Sequence, residues 1–135
     1  MPHFFYFIAE NVHSPLRGEH MGCKFLCKEG GMRKLLEKDI EKKLAKGVEQ
    51  LGGRSYKWVS PGNTGVPDRI VIFPDGRVEF VELKTISGKV RPLQRIQINR
   101  LQRLGCTVHI LYGELAVHEY LGRQAMILAE RGDAT

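Results

Sequence analysis

Two short runs rich in Val, Ile and Phe, Arg69 to Phe73 and Arg77 to Lys84, flank Pro74-Asp75-Gly76. β-Branched and aromatic residues suit a pleated, half-buried backbone and Pro-Asp-Gly suits a tight reversal, so the segment predicts an antiparallel β-hairpin. The hairpin constrains the rest of the chain because side chains alternate along a strand. Glu82 and Lys84 emerge on one face together with Val78 and Phe80, while Asp68, at the mouth of the first strand, shares the parity of Ile70 and Ile72. One hairpin can therefore gather Asp68, Glu82 and Lys84.

Two carboxylates beside an ammonium suit phosphodiester hydrolysis. Hard carboxylate oxygens bind Mg²⁺ or Mn²⁺, ions that retain water and lower its pKa, and a lysine can orient that water or stabilise developing charge. A backbone carbonyl at Leu83 would complete the metal's shell. Glu41-Lys42-Lys43 repeats the acid-x-Lys triplet, but in a segment of helical period. Residues two apart on a helix diverge by about 200°, so that copy cannot converge on one ion. Glu82, between Val81 and Leu83, is costly to bury alone; it is either salt-bridged or bound to a cation.

Gly65-x-Pro67-Asp68-Arg69, Glu82-x-Lys84, Gln94 and a preceding helix carrying Glu37 closely resemble the VRR-NUC domain, a compact branch of the PD-(D/E)XK nuclease superfamily. The resemblance runs from about Met32 to Tyr112. It implies an α/β, restriction-endonuclease-like core, with a central mixed sheet flanked by α-helices, and divalent-metal cleavage of DNA. Asp68 and Glu82 would be the metal ligands, with the Leu83 carbonyl, and Glu37 would join them through water. Lys84 would be the catalytic lysine and Gln94 a further site residue. Some relatives of this kind act on branched DNA as homodimers, which implies selectivity for substrates such as four-way junctions.

Leu36, Ile40, Leu44, Val48 and Leu51 form one apolar stripe over Arg33 to Gln50. At about 100° per residue Glu37 falls within its arc and Glu41 at its edge. An acid there either faces a metal or pairs with a buried Arg; Glu41 is expected to be a solvated partner on the charged face. A second helix is expected from Pro92 to Leu104, opened by proline and stopped by Gly105. The family register selects Gln94 on it, whereas the stripe Leu93, Ile96, Leu101 and Leu104 centres nearer Gln97, the structural alternative. Arg91 stands where the family often has a serine.

The chain has 135 residues, enough for one core, and a net charge of +6. Residues 1–31 are charge-balanced, and from Lys84 to Arg103 the charged side chains are Lys84, Lys89, Arg91, Arg95, Arg100 and Arg103, with no acid. Lys89, Arg91, Arg95, Arg100 and Arg103 directly follow the expected site, as suits a surface that receives DNA. The rival from another class is a non-catalytic basic DNA-binding or structural module. Sequence-specific restriction would need a base-reading insertion, which a chain this short does not show.

Elsewhere the pattern predicts strands at Lys57 to Ser60 and, buried, at Thr107 to Tyr112, then a helix from Glu114 to Arg131. Trp58 is expected either in the core or near substrate, and Cys106 in packing. Residues 1–31 read as an extension before a nuclease domain at 32–135. Phe4 to Ile8 is too short for a membrane span or signal core, which points to the cytoplasm. Cys23 and Cys27, near His13 and His20, fit no strong zinc spacing and read as free thiols, and an odd cysteine count suits a reducing compartment. Met126, Ile127 and Leu128, or Phe4 to Phe7, are candidate dimer contacts.

Overall fold

A computed structural model describes residues 36–133; the expectations for Phe4 to Ile8, His13, His20, Cys23, Cys27 and Arg33 lie outside them. The order is α1 (Glu37–Gln50), β1 (Arg54–Lys57), β2 (Arg69–Ile72), β3 (Val78–Lys84), α2 (Pro92–Arg103), β4 (Thr107–Tyr112) and α3 (Gly113–Gly132). The strands lie in chain order in one sheet. β1, β2 and β3 pair antiparallel and β4 runs parallel to β3, giving the expected mixed sheet.

The hairpin forms in the expected register, with Ile70 opposite Phe80 and Ile72 opposite Val78. Its reversal is closed by the Gly76 amide on the Phe73 carbonyl, at 3.0 Å, and by the Asp75 carboxylate, which accepts from the Arg77 amide. Alternation then divides the sheet into two unlike faces. Val71, Val81, Leu83 and Leu111 point into the main core with Ile40, Leu44 and Val48 of α1 and Val117 and Tyr120 of α3. Burial of such side chains contributes roughly 1.5–3 kcal/mol each. The opposite parity carries Ile70, Phe80, Glu82 and Lys84, and α2 lies along β4 on this side. Here Ile72 and Val78 stay exposed.

Several expectations are corrected. The strand expected at Lys57 to Ser60 falls earlier, at Arg54–Lys57. The Trp58 amide makes a last bond to the Asp68 carbonyl, at 2.9 Å, before the chain leaves for the Pro61-Gly62 loop, and Val59 is exposed. The Trp58 ring packs on Phe80, centroids 5.1 Å apart, away from the main core. β4 is an edge strand whose one buried residue is Leu111, because no strand covers its outer side. The stripe expected on α2 is exposed at Leu93, Ile96 and Leu104, and Gln94 and Ile98 are buried instead. A polar anchor, Gln94 bonded to Glu82 on β3, fixes the helix's rotation against the count of apolar side chains. On α1 the stripe buries Ile40, Leu44 and Val48, while Leu36 is exposed at the helix start. Among the described residues no helix is long and apolar enough to cross a membrane.

Candidate active site

The end of β3 places Glu82 and Lys84 side by side on the face opposite the main core. Glu82 is fully buried and Lys84 nearly so. The Lys84 ammonium lies 2.7 Å from Glu82 Oε1. The same oxygen accepts a hydrogen bond from Gln94 Nε2. Gln94 Oε1 in turn accepts from the Arg91 amide at 2.9 Å, so this one side chain caps the start of α2 and ties the helix to the carboxylate. Glu82 Oε2, equally buried, has no hydrogen-bond partner.

Asp68 sits just ahead of β2, its Oδ2 accepting from the Leu83 amide at 2.9 Å. That bond spans the hairpin where the ladder has ended and holds the Asp68 carboxylate against the Glu82 strand. Burial pushes the Glu82 carboxyl above the usual range and the Asp68 charge adds to it; Lys84 opposes both without cancelling them. A cation between the two carboxylates would relieve that strain.

Glu37, the first residue of α1, is half exposed and reaches to 3.9 Å from the Lys84 ammonium. It lies at the helix end and not on the packing face, and its partner is Lys84. The pairing with a poorly exposed Arg belongs instead to Glu41, which meets Arg69 at 2.9 Å with both side chains about one-sixth exposed. This overturns the expectation that Glu41 is solvated: β2 starts alongside α1, and the Arg69 guanidinium fills the space between them.

Gln97 stays away from the carboxylates, its amide 3.5 Å from the Thr64 carbonyl. Lys89, Arg91, Arg95, Arg100 and Arg103 are all exposed. Beside Gln94 a cavity of about 280 Å³ is lined by Thr64, Gly65, Arg91, Pro92 and Leu93. Gly65 makes this junction close: with φ +93° it lies so near α2 that an added Cβ would stand 2.7 Å from the Leu93 carbonyl carbon and 2.9 Å from the Gln94 nitrogen. No cluster of three or more His, Cys, Asp or Glu able to hold a metal occurs among the described residues. The available donor set is two carboxylates with a neighbouring main-chain carbonyl, which suits an ion that keeps part of its water.

The sequence reading missed a second polar centre under the sheet. Buried Glu79 accepts from the Tyr120 hydroxyl at 2.8 Å, from Gln124 at 3.1 Å and from Arg77 at 2.8 Å, and His109 Nε2 lies 3.0 Å away. Burial alone would raise the Glu79 carboxyl, but these donors and the nearby positive charge hold it below the usual range. The signal was present: Glu79 shares the parity of Val81 and Leu83, the core-facing side of β3.

Comparison with known proteins agrees with the architecture. Residues 9–115 match the model of the VRR-NUC domain, a match that starts ahead of Met32. Over 80 residues the chain is 46% identical to "Putative nuclease p44" of Acyrthosiphon pisum secondary endosymbiont phage 1, covering 59% of this chain and 86% of that protein. A solved structure named "VRR_NUC domain" superposes with a TM-score of 0.61 at 30% identity, covering 64% of this chain and 94% of that one. With its mixed four-stranded sheet, flanking helices and the family model matching most of its length, the chain belongs to the VRR-NUC family and carries a nuclease domain of restriction-endonuclease-like fold.

Proposed function

We propose that the protein is a divalent-metal-dependent DNA endonuclease whose site is Asp68, Glu82, Lys84, Gln94 and Glu37. The observation that carries this reading is Glu82: one oxygen is held by Lys84 and Gln94, while the other is buried, unpartnered and close to a second carboxylate. A buried acceptor left without a donor costs on the order of 1–3 kcal/mol, more when charged, and a bound cation would offset that cost. Asp68, Glu82 and the Leu83 carbonyl would hold Mg²⁺ or Mn²⁺, with Glu37 joining through water. Such an ion supplies charge neutralisation at the phosphate and a water of lowered pKa.

The chain's own residues supply the rest. Lys84, fixed by Glu82, presents a positive charge to the phosphate oxygens. Gln94 bonds Glu82 and caps α2, so one side chain positions the acidic strand against the basic helix. Lys89, Arg91, Arg95, Arg100 and Arg103 contact the DNA backbone, a role supported by the absence of any acid from Lys84 to Arg103. The finer reading is a homodimer selecting branched over linear duplex DNA, since two copies about a two-fold axis present two sites to opposed strands. Met126 on α3, well exposed, is an available dimer contact.

The test is cleavage of linear, flapped and four-way DNA by the full chain, with Mg²⁺, Mn²⁺ or excess chelator, alongside light scattering. Metal-dependent cutting that is lost in chelator, strongest on branched DNA and made by a dimer, is the expected result. Equal cutting in chelator would refute the metal mechanism. DNA binding without cutting in either metal would favour the non-catalytic module. A monomer cutting all substrates equally would remove the dimer and junction readings alone.

A further inference from the structure

The chain turns sharply after Lys84, with the Gly88 amide bonded to the Thr85 carbonyl at 2.9 Å, and Ile86 on this turn is 86% exposed. Ile86 Cγ1 lies 2.7 Å from where a Cβ on Gly113 would stand, so the isoleucine rests on a bare glycine at the β4–α3 junction. The residue before that glycine, Tyr112, pairs in register with Lys84 on the parallel ladder and shares its face of the sheet. The Tyr112 side chain is 42% exposed. A large aliphatic and an aromatic side chain are thus presented at the rim of the candidate active site, beside the lysine. The acid next in sequence, Glu114, is engaged by Lys43.

We propose that Ile86 and Tyr112 form an apolar wedge that takes an unstacked nucleobase of the DNA next to the phosphate being cut. Charge chooses this occupant over an apolar protein surface, because Lys89, Arg91 and Arg95 follow the wedge with no acid among them. A polyanion that carries flat apolar bases satisfies both halves: phosphates meet the basic side chains and a base face meets the aromatic ring and the aliphatic tip. The wedge rewards bases already unpaired at a branch, since a fully paired duplex must first be opened. The inference rests on the nuclease reading above and supplies its source of selectivity.

The experiment measures binding of the full chain, in Ca²⁺, to a splayed-arm DNA and to a fully paired duplex of equal length, by fluorescence anisotropy. The wild-type protein should prefer the splayed DNA. Combined Ile86→Ser and Tyr112→Ala should lower that preference on the order of tenfold, the scale of one lost base–aromatic stack, and Tyr112→Phe should retain it. Both positions are exposed, so circular dichroism should show intact folding. Equal wild-type affinity for the two DNAs, or an unchanged ratio in the double variant, overturns the wedge. So does a drop in mass by light scattering, which would make the patch an interface between copies. Cleavage in Mg²⁺ or Mn²⁺ is scored separately: its absence in the wild type defeats the nuclease reading, whereas intact cleavage with an unchanged ratio defeats the wedge alone.

Discussion

Replacing Gly65 by alanine should damage both the fold and the candidate site, and the two effects can be separated with a second glycine. Gly65 has φ +93°, and a Cβ there would stand 2.7 Å from the Leu93 carbonyl carbon and 2.8 Å from its oxygen. Gly62 has φ +78° with nothing within 4 Å of an added Cβ. Gly62→Ala therefore meets only the left-handed backbone cost, about 1–2 kcal/mol. Gly65→Ala meets that cost and, in addition, a main-chain overlap of the kind that costs about 1–3 kcal/mol. To reach ordinary contact at 3.4 Å, the first turn of α2 must retreat by about 0.7 Å. That turn carries Gln94, whose amide holds Glu82 Oε1. Misplacement of a site group by about 1 Å can cost on the order of a hundredfold in rate, so cleavage by Gly65→Ala should fall roughly ten- to a hundredfold. Urea unfolding and single-turnover cleavage are the assays, with Gly62→Ala retaining activity once folded. Equal stability losses in the two variants, with Gly65→Ala still active, would refute the argument that this close approach positions Gln94.

Glu82→Gln and Asp68→Asn should each abolish cleavage while the fold survives, because each removes charge with little change of shape. Glu82→Gln should change metal-free thermal stability little, since relief of a disfavoured buried carboxylate is offset by leaving the Lys84 ammonium without its buried charged partner; a large drop in melting temperature would show that Glu82 is structural. Replacing Lys89, Arg91 and Arg95 together by alanine should weaken DNA binding and reduce the slope of log affinity against log salt by up to about three; an unchanged slope would make this face merely solvated. Glu79, depressed in the folded state from its ordinary 4.5, contributes stability that is present above that pH and lost as pH falls through the lower folded value. Glu79→Gln should therefore flatten this acid limb and cost about 1–3 kcal/mol at neutral pH, by weakening the charge-assisted bonds from Arg77 and Tyr120 while Arg77 keeps its Asp75 partner. Retention of the full acid limb in the variant would assign it to other groups.

Period-two alternation fixes on its own that Glu82 and Lys84 share one face of their strand, because parity is a local property; that Asp68 joins them depended on the hairpin register, Ile70 opposite Phe80. The same locality made the α2 boundaries legible from Pro92 and Gly105. Rotation of a helix about its axis is not local. The apolar side chains of α2 favoured Leu93, Ile96 and Leu104 as the inner face, yet tertiary packing exposes them, since Gln94 bonds a carboxylate on another element and the backbone at Gly65 admits α2 at close range. Tertiary structure also decided between Glu37 and Glu41. Helical phase separates them by only one turn, and their roles were set by what stands opposite: Lys84 at the end of β3 for one, Arg69 at the start of β2 for the other. A buried polar group is defined by its partner, and a partner distant in sequence appears only when the chain has folded.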